Sequence, residues 1–399
     1  MKKKSKNIVI CLDGTGNQIE KNLSNVLKLY RTLDKDEEQL VFYDQGVGTL
    51  GHVYTWGKKY QQFKNLLGLA FGLGLDKNVL EAYEFIIENY AEFKDPKTRE
   101  VIRDNIYIFG FSRGAYTARV LAGLLYEVGL LSPSQKHLSG AALTAYKQSH
   151  ADAESADIND EGAAANFRRI AGTKIVSISF LGVWDTVSSV LIPRYRGYFP
   201  PLVFEKLPHT NRNPAVRCFR HAMAIDERRR MFAVDRWEPD QEFRPAPFIS
   251  NDDRQDALEM WFCGYHSDVG GGNERTSSGI SQFSLIWMIG EAQKHGLKIS
   301  KRMADYVTGQ KKWSATTRYT YPEPSILAKI HNSMKAAWFF PLEIIPKRVH
   351  PKMSPHRKSL FGFYIPLGEP RVIGEDDALH SSVKERIEKV PDYDPINMP

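Results

Sequence analysis

The residues with the clearest chemical potential are Gly110-Phe111-Ser112-Arg113-Gly114, a G-x-S-x-G motif. An apolar run, "NIYIF", precedes it, and "RGAYTARVLAGLLYEVGLL", with helical spacing, follows. A serine hydroxyl is a weak nucleophile until a neighbouring base takes its proton. A strand-to-helix turn exposes such a serine, and small flanking residues let neighbouring backbone come close. The helix N-terminus then favours developing negative charge. The plainer reading is a small-residue turn between sheet and helix.

A serine at such a turn needs an acid and a histidine, in the chain order Ser, Asp or Glu, His. Asp185 ends the apolar run "KIVSISFLGVWD" and fits the acid, although "DTVSS" also lets it cap a helix. Asp226, in "HAMAIDERRR", is expected in a helix or loop and fits less well. Two histidines compete for the base. His266, in "WFCGYHSDVGGGNE", follows an aromatic run and opens a glycine-rich loop. His221 has Ala and Met neighbours and reads as the alternative base or as a buried supporting residue. The glycines after His266 read as flexibility that lets the imidazole reach Ser112, with Asp268 bracing the loop. Oxyanion donors are expected from the backbone N–H of Arg113 and from Gly14 or Thr15 in "DGTGN".

Other chemistries fare worse. "CLDGT" approaches the Asp-x-Asp-Gly-Thr of aspartyl phosphatases, but Cys11 stands where the nucleophilic Asp belongs. A metal at His266, Asp268 and Glu274 lacks a helical His pair or a Cys partner. The three glycines lack the Lys and Ser/Thr of a phosphate loop. No metal or cofactor is expected.

The elements that must position these residues alternate. "NIVICL", "QLVFYD", "NIYIFGF", "KIVSISFLGVW" and "DALEMWF" read as strands, and helical segments lie between several of them. This predicts an α/β fold with a mostly parallel central sheet flanked by helices. Residues 1–399 are expected to form one domain, with insertions near 132–172, 190–255 and 301–370. Three scattered cysteines, Cys11, Cys218 and Cys263, argue against disulfides and a Cys-based zinc site. The basic start "MKKKSKNIVICL" runs into a strand, so no signal peptide is expected and synthesis in the cytoplasm follows. The net charge of +7 favours anionic partners, but its spread along the chain outlines no nucleic-acid module. Two stretches, 56–75 and 332–349, mix basic, apolar and aromatic residues and are candidate lids or interfacial anchors; packing in ordinary helices is the alternative.

With these motifs in order, the chain resembles an α/β-hydrolase family of bacterial and fungal proteins that includes type VI secretion phospholipase effectors. "LDGTGN", "AFGLGLDKNVLEAYEFI", "IYIFGFSRGAYTARVLAGLL", "FLGVWDTV", "RHAMAIDERR", "WFCGYHSDVGGG" and the closing "YDPINMP" carry the resemblance. It implies a serine esterase or lipase, with phospholipase A activity on membrane glycerophospholipids the best-known case. It also implies the triad Ser112, Asp185 and His266, and places Asp13 and His221 at family motif positions. A phospholipid membrane surface as substrate, an immunity or delivery partner and export by a type VI route are further implications. The 132–172 segment departs from the family pattern. A soluble-ester or thioester hydrolase, and an inactive relative used for binding, are the competing functions.

Overall fold

The computed structural model describes residues 4–14, 22–46, 71–153, 162–187, 191–193, 202–204, 207–244, 253–314, 316–335, 343–344, 346–348 and 363–398. Seven strands form the main sheet: β1 (Asn7–Leu12), β2 (Gln39–Asp44), β3 (Asn105–Phe111), β4 (Phe180–Trp184), β5 (Cys218–Ala224), β6 (Asp256–Phe262) and β7 (Ala378–Leu379). Their order is β7-β6-β5-β4-β3-β1-β2, and every neighbouring pair is parallel. The chain leaves β1 for β2 on one side and returns to β3 on the other. That reversal opens a crevice beyond the carboxyl ends of β1 and β3, where open α/β sheets carry their sites.

Strand alternation sends side chains to two cores. Ile8, Ile10, Leu12, Ile106, Ile108, Leu181 and Val183 face one side. There they meet α2 (Phe71–Asn89), α3 (Arg113–Glu127) and α4 (Ser139–Ala153) through Val79, Tyr83, Val120, Leu124 and Tyr146. Val9, Cys11, Tyr107, Phe109, Phe111, Phe180 and Trp184 face the other. They pack on α1 (Asn25–Thr32), α7 (Ser281–Lys294) and α8 (Lys301–Val307), with Val26, Leu29, Leu285, Met288 and Val307 in the contact. Two covered faces explain why these strands read as nearly continuous apolar runs. Among the described residues the remaining α-helices are α5 (Ala163–Ala171), α6 (His266–Gly270) and α9 (Ser381–Lys389).

The structure differs from the sequence reading in three places. Asp226 lies outside the strands, as expected, but the residues just before it belong to β5, a central strand that the sequence reading did not place. The 190–255 stretch, expected as an insertion, therefore supplies part of the main sheet. Within 132–172, α4 places Ala142, Leu143 and Tyr146 in the main core, so this part builds the fold as well. Much of the two candidate anchor stretches, 56–70 and 336–342 in particular, lies outside the described residues. Among the described residues, no helix is long and apolar enough to cross a membrane.

Candidate active site

Ser112 stands between the last residue of β3 and the first of α3 with φ 58° and ψ −123°. That left-handed φ costs a non-glycine residue about 1–3 kcal/mol and persists only where the surroundings enforce it. The motif glycines explain the enforcement. A Cβ on Gly114 would lie 2.3 Å from the Leu12 carbonyl oxygen and 2.5 Å from that of Asp13. A Cβ on Gly110 would lie 2.4 Å from the Gly114 carbonyl oxygen. The two glycines thus let α3 start directly against the ends of β1 and β3. The Ser112 N–H donates to the Trp184 carbonyl at 3.1 Å, tying the turn to β4.

Asp185 follows β4 directly, also at positive φ, 39°. Its N–H donates to Ala222 O on β5 at 2.8 Å. His266 opens α6, just past the end of β6. Three strand ends therefore deliver one hydrogen-bonded chain. His266 Nε2 lies 2.7 Å from Ser112 Oγ, and His266 Nδ1 lies 2.6 Å from Asp185 Oδ2. The imidazole sits between the rings of Phe111 and Phe232, each with its centroid 4.7 Å away. Burial lowers the His266 pKa below the usual histidine value, against the opposing hydrogen bond and charge of Asp185. Burial would raise Asp185, but the Arg371 charge and the bonds from His266 and Arg371 outweigh it and hold the carboxyl well below the usual range. Near neutral pH the chain therefore reads as carboxylate, neutral imidazole and hydroxyl.

Several further groups hold this arrangement. Ala224 N–H donates to Asp185 Oδ1 at 2.9 Å. Arg371 reaches both Asp185 oxygens, Nη1 to Oδ1 at 2.5 Å and Nη2 to Oδ2 at 3.0 Å. The His266 N–H donates to Glu227 Oε2 at 3.2 Å, and Glu227 is buried in an ion pair with Arg229. Arg371, Glu227 and Phe232 escaped the sequence reading. "AIDERRRMF" signals only charge next to an apolar residue, and Arg371 lies 186 positions from its partner.

His221 takes a different place. It is buried on β5, with Nδ1 2.8 Å from Glu259 Oε1 and Nε2 accepting the Thr186 N–H at 3.1 Å. An accepting Nε2 fixes the Nδ1–H tautomer. Burial lowers its pKa, so it stays neutral and props the turn after Asp185. Neither nitrogen bonds to Ser112; His266 holds that contact.

Asp13 is buried at the end of β1. It accepts from Ser24 Oγ at 2.5 Å, Tyr43 O–H at 2.8 Å and Gly14 N–H at 2.7 Å. Gly14 lies against Ser112, since a Cβ on it would be 3.3 Å from Ser112 Cβ. Its N–H, expected to serve an oxyanion, points in this state at the Asp13 carboxylate. Arg113 begins α3, which puts its N–H at the helix start beside Ser112. Thr15 lies outside the described residues.

The glycine stretch after His266 is packing rather than slack. A Cβ on Gly270 would fall 1.8 Å from the Phe111 ring, and one on Gly271, at φ 81°, would fall 2.7 Å from the Asn25 nitrogen. These contacts press α6 onto β3 and α1, which fixes His266 instead of freeing it. Asp268 Oδ2 accepts the N–H groups of Tyr265 and His331, at 3.1 and 2.9 Å, and so braces the helix. Glu274, the third group of the rejected metal set, is exposed. Among the described residues, Cys218, Asp256 and His295 could offer three ligands at the opposite end of the sheet, but Arg220 already donates to the Asp256 oxygen at 2.8 Å.

Residues 6–291 match the model of the family described as T6SS, phospholipase effector Tle1-like, catalytic domain. An uncharacterized protein of Saccharomyces cerevisiae is 32% identical over 272 residues, 66% of this chain and 36% of its own length. The chain thus spans little more than a third of that relative. A crystal structure of an uncharacterized protein from Pseudomonas aeruginosa aligns at 20% identity and a TM-score of 0.38, covering 74% of this chain and 47% of that one. A structure of the Tle1 effector bound to the VgrG spike of the type 6 secretion system aligns at 18% and 0.34, covering 69% and 53%.

Proposed function

The chain belongs to the family of Tle1-like type VI secretion phospholipase effectors, and on that premise we propose that it is a serine hydrolase of acyl esters. The carrying observation is the ordered chain Ser112–His266–Asp185 with Ser112 at a left-handed φ at the head of α3. Ser112 Oγ attacks the acyl carbonyl carbon while His266 Nε2 takes its proton. Asp185 keeps Nδ1 protonated and stabilises the imidazolium. The tetrahedral oxyanion is held by the N–H of Arg113 and by one from the segment after β1, Gly14 or Thr15. For Gly14 this requires its N–H to leave Asp13 Oδ1 as the anion forms. The ester C–O bond then breaks, and His266 returns its proton to the leaving alcohol. Water repeats the sequence on the acyl-enzyme, releasing the carboxylic acid and restoring Ser112.

The proposed substrate is a glycerophospholipid at a membrane surface, cleaved as by a phospholipase A; the family description supports this class. Residues 1–399 would act as one hydrolase domain. Delivery by a type VI-like route, with a delivery or immunity partner, belongs to the same proposal. The test is fatty-acid release from phosphatidylglycerol and phosphatidylethanolamine vesicles by the purified chain and by Ser112→Ala. Release by the first and none by the second is expected. Hydrolysis of short soluble esters with no release from vesicles would overturn the lipid assignment, and equal release by both proteins would overturn the serine mechanism.

A further inference from the structure

The clamp on Asp185 comes from the far end of the chain. Arg371 lies beyond the residues matched by the family model. Its guanidinium is buried and accounts for two of the four hydrogen bonds on the carboxylate. Oδ1 accepts from Ala224 N–H and Nη1, and Oδ2 accepts from His266 Nδ1–H and Nη2. The same two nitrogens donate to Ala224 O at 2.8 Å and Phe232 O at 2.6 Å. Arg371 is thereby fixed both to the end of β5 and to the segment whose Phe232 ring packs on His266.

We propose that Arg371 is a positioning residue that locks the Asp185 carboxylate and weakens His266 as a base, carrying hydrolysis into mildly acidic conditions. The proposal rests on the reading of Ser112 as nucleophile and His266 as base. An unpaired carboxylate stabilises an adjacent imidazolium with its full charge. A carboxylate in a bidentate pair with guanidinium presents a partly offset charge, so the imidazolium gains less and loses its proton at lower pH. Several other charged groups around the site are already matched. Glu227, against the His266 N–H, is paired with Arg229, which lies over the Phe232 ring. Asp268, two residues along α6, is bonded to His331. His221, behind the turn after Asp185, is bonded to Glu259, which is itself paired with Arg236. Asp13, at the end of β1, is satisfied by Ser24, Tyr43 and Gly14. Removing Arg371 unbalances the charge pair that His266 touches through its ring.

The test compares the full chain with Arg371→Gln and Arg371→Lys. The pH dependence of fluorophosphonate labelling at Ser112 is recorded, and the His266 titration is read directly by histidine-selective NMR. Arg371→Gln removes the charge and should move the acid midpoint upward by about one pH unit in both readouts. Arg371→Lys keeps the charge but loses the fork. It should hold the wild-type midpoint while labelling about tenfold more slowly from looser orientation. A Gln variant with the wild-type midpoint overturns the proposal, and so do equal shifts in Gln and Lys. Should the Gln variant fail to fold, a Lys variant with wild-type rate and midpoint overturns it, and a slow one with an unmoved midpoint supports it. An unlabelled wild-type Ser112 overturns the nucleophile reading alone, because the NMR titration still tests Arg371.

Discussion

Among the described residues, two chains link a serine, a histidine and an aspartate. In one, Ser112 meets His266, which meets Asp185. In the other, Ser277 Oγ lies 3.0 Å from His331 Nε2, and His331 Nδ1 lies 2.6 Å from Asp268 Oδ1. The acids are alike, since both carboxylates are fully buried. The histidines differ moderately, with side chains 6% exposed for His266 and 27% for His331. The serines differ most. Ser112 is held at a strained φ just before the first turn of a fifteen-residue helix, with Gly14 alongside. Ser277 sits in a short 3-10 turn, Arg275–Ile280, and its hydroxyl also reaches Glu274 O at 3.0 Å. His331 is further engaged by Asn273 Nδ2 at 3.1 Å. The order of three side chains is therefore not enough to propose a nucleophile. A strained turn, a helix start and nearby backbone donors distinguish the two. The second chain joins α6 to the segment around His331 and so holds His266 from behind.

The sharpest break of this comparison is at the serines. Ser112→Ala should lower ester hydrolysis by at least about 10⁴-fold with an unchanged circular dichroism spectrum. Ser277→Ala should stay within about twofold of wild type, because surface hydroxyls away from the reacting atoms contribute little. A fluorophosphonate probe followed by peptide mapping should mark Ser112 and not Ser277; the reverse pattern would end the assignment. The acids come next. Asp185→Asn should cost about 10⁴-fold in kcat by leaving the imidazole in the wrong tautomer. Asp268→Asn keeps the shape but weakens its bonds to the His331 side chain and backbone. It should destabilise the fold by about 1–3 kcal/mol in a urea titration while kcat falls about tenfold or less.

Between these extremes lies packing. Gly270→Ala drives a methyl group into the Phe111 ring, against which the His266 imidazole rests. Either the ring or α6 must shift, and a displacement of about 1 Å at the base costs about 10²-fold in kcat. KM for a short ester should change far less, because Gly270 meets Phe111 rather than the substrate. An equal loss in Gly270→Ala and wild-type-like kcat in Asp185→Asn would reverse the proposed ranking of orientation and chemistry.

These predictions also mark how far the sequence could be read. β1, β3 and β4 were legible because both faces of a parallel sheet are covered and their apolar runs are nearly unbroken. β5 was not, because Arg220 and His221 interrupt it. Their buried charges and dipoles are answered by Glu291, Asp256 and Glu259, all distant in sequence. Ser112, Asp185 and His266 stood out because each ends an apolar run, and the structure brings the three together. Arg371 and Phe232 end no such run and acquire their meaning only when distant segments meet. The glycines after His266 were misread for a related reason. Glycine marks both slack and close contact, and only the neighbouring Phe111 and Asn25 distinguish them.

The smallest expected effect separates support from chemistry most finely. His331→Gln leaves the main-chain N–H of residue 331 free to keep its bond to Asp268 Oδ2 and retains a side-chain donor near Oδ1. It removes a ring that bridges Asp268 to Ser277 and also meets Asn273. If that chain is a brace, kcat should stay within about twofold and stability should fall by about 0.5–1.5 kcal/mol, the value of one hydrogen bond. The same change at the other histidine, His266→Gln, removes the proposed base and should cost about as much as losing Ser112. The pair shares residue type, Asp partner and Ser partner, so any large fall in turnover for His331→Gln with unaltered stability would show that the second chain takes part in the reaction. A loss confined to stability leaves it as the strut that keeps α6, and with it the His266 ring, against Phe111.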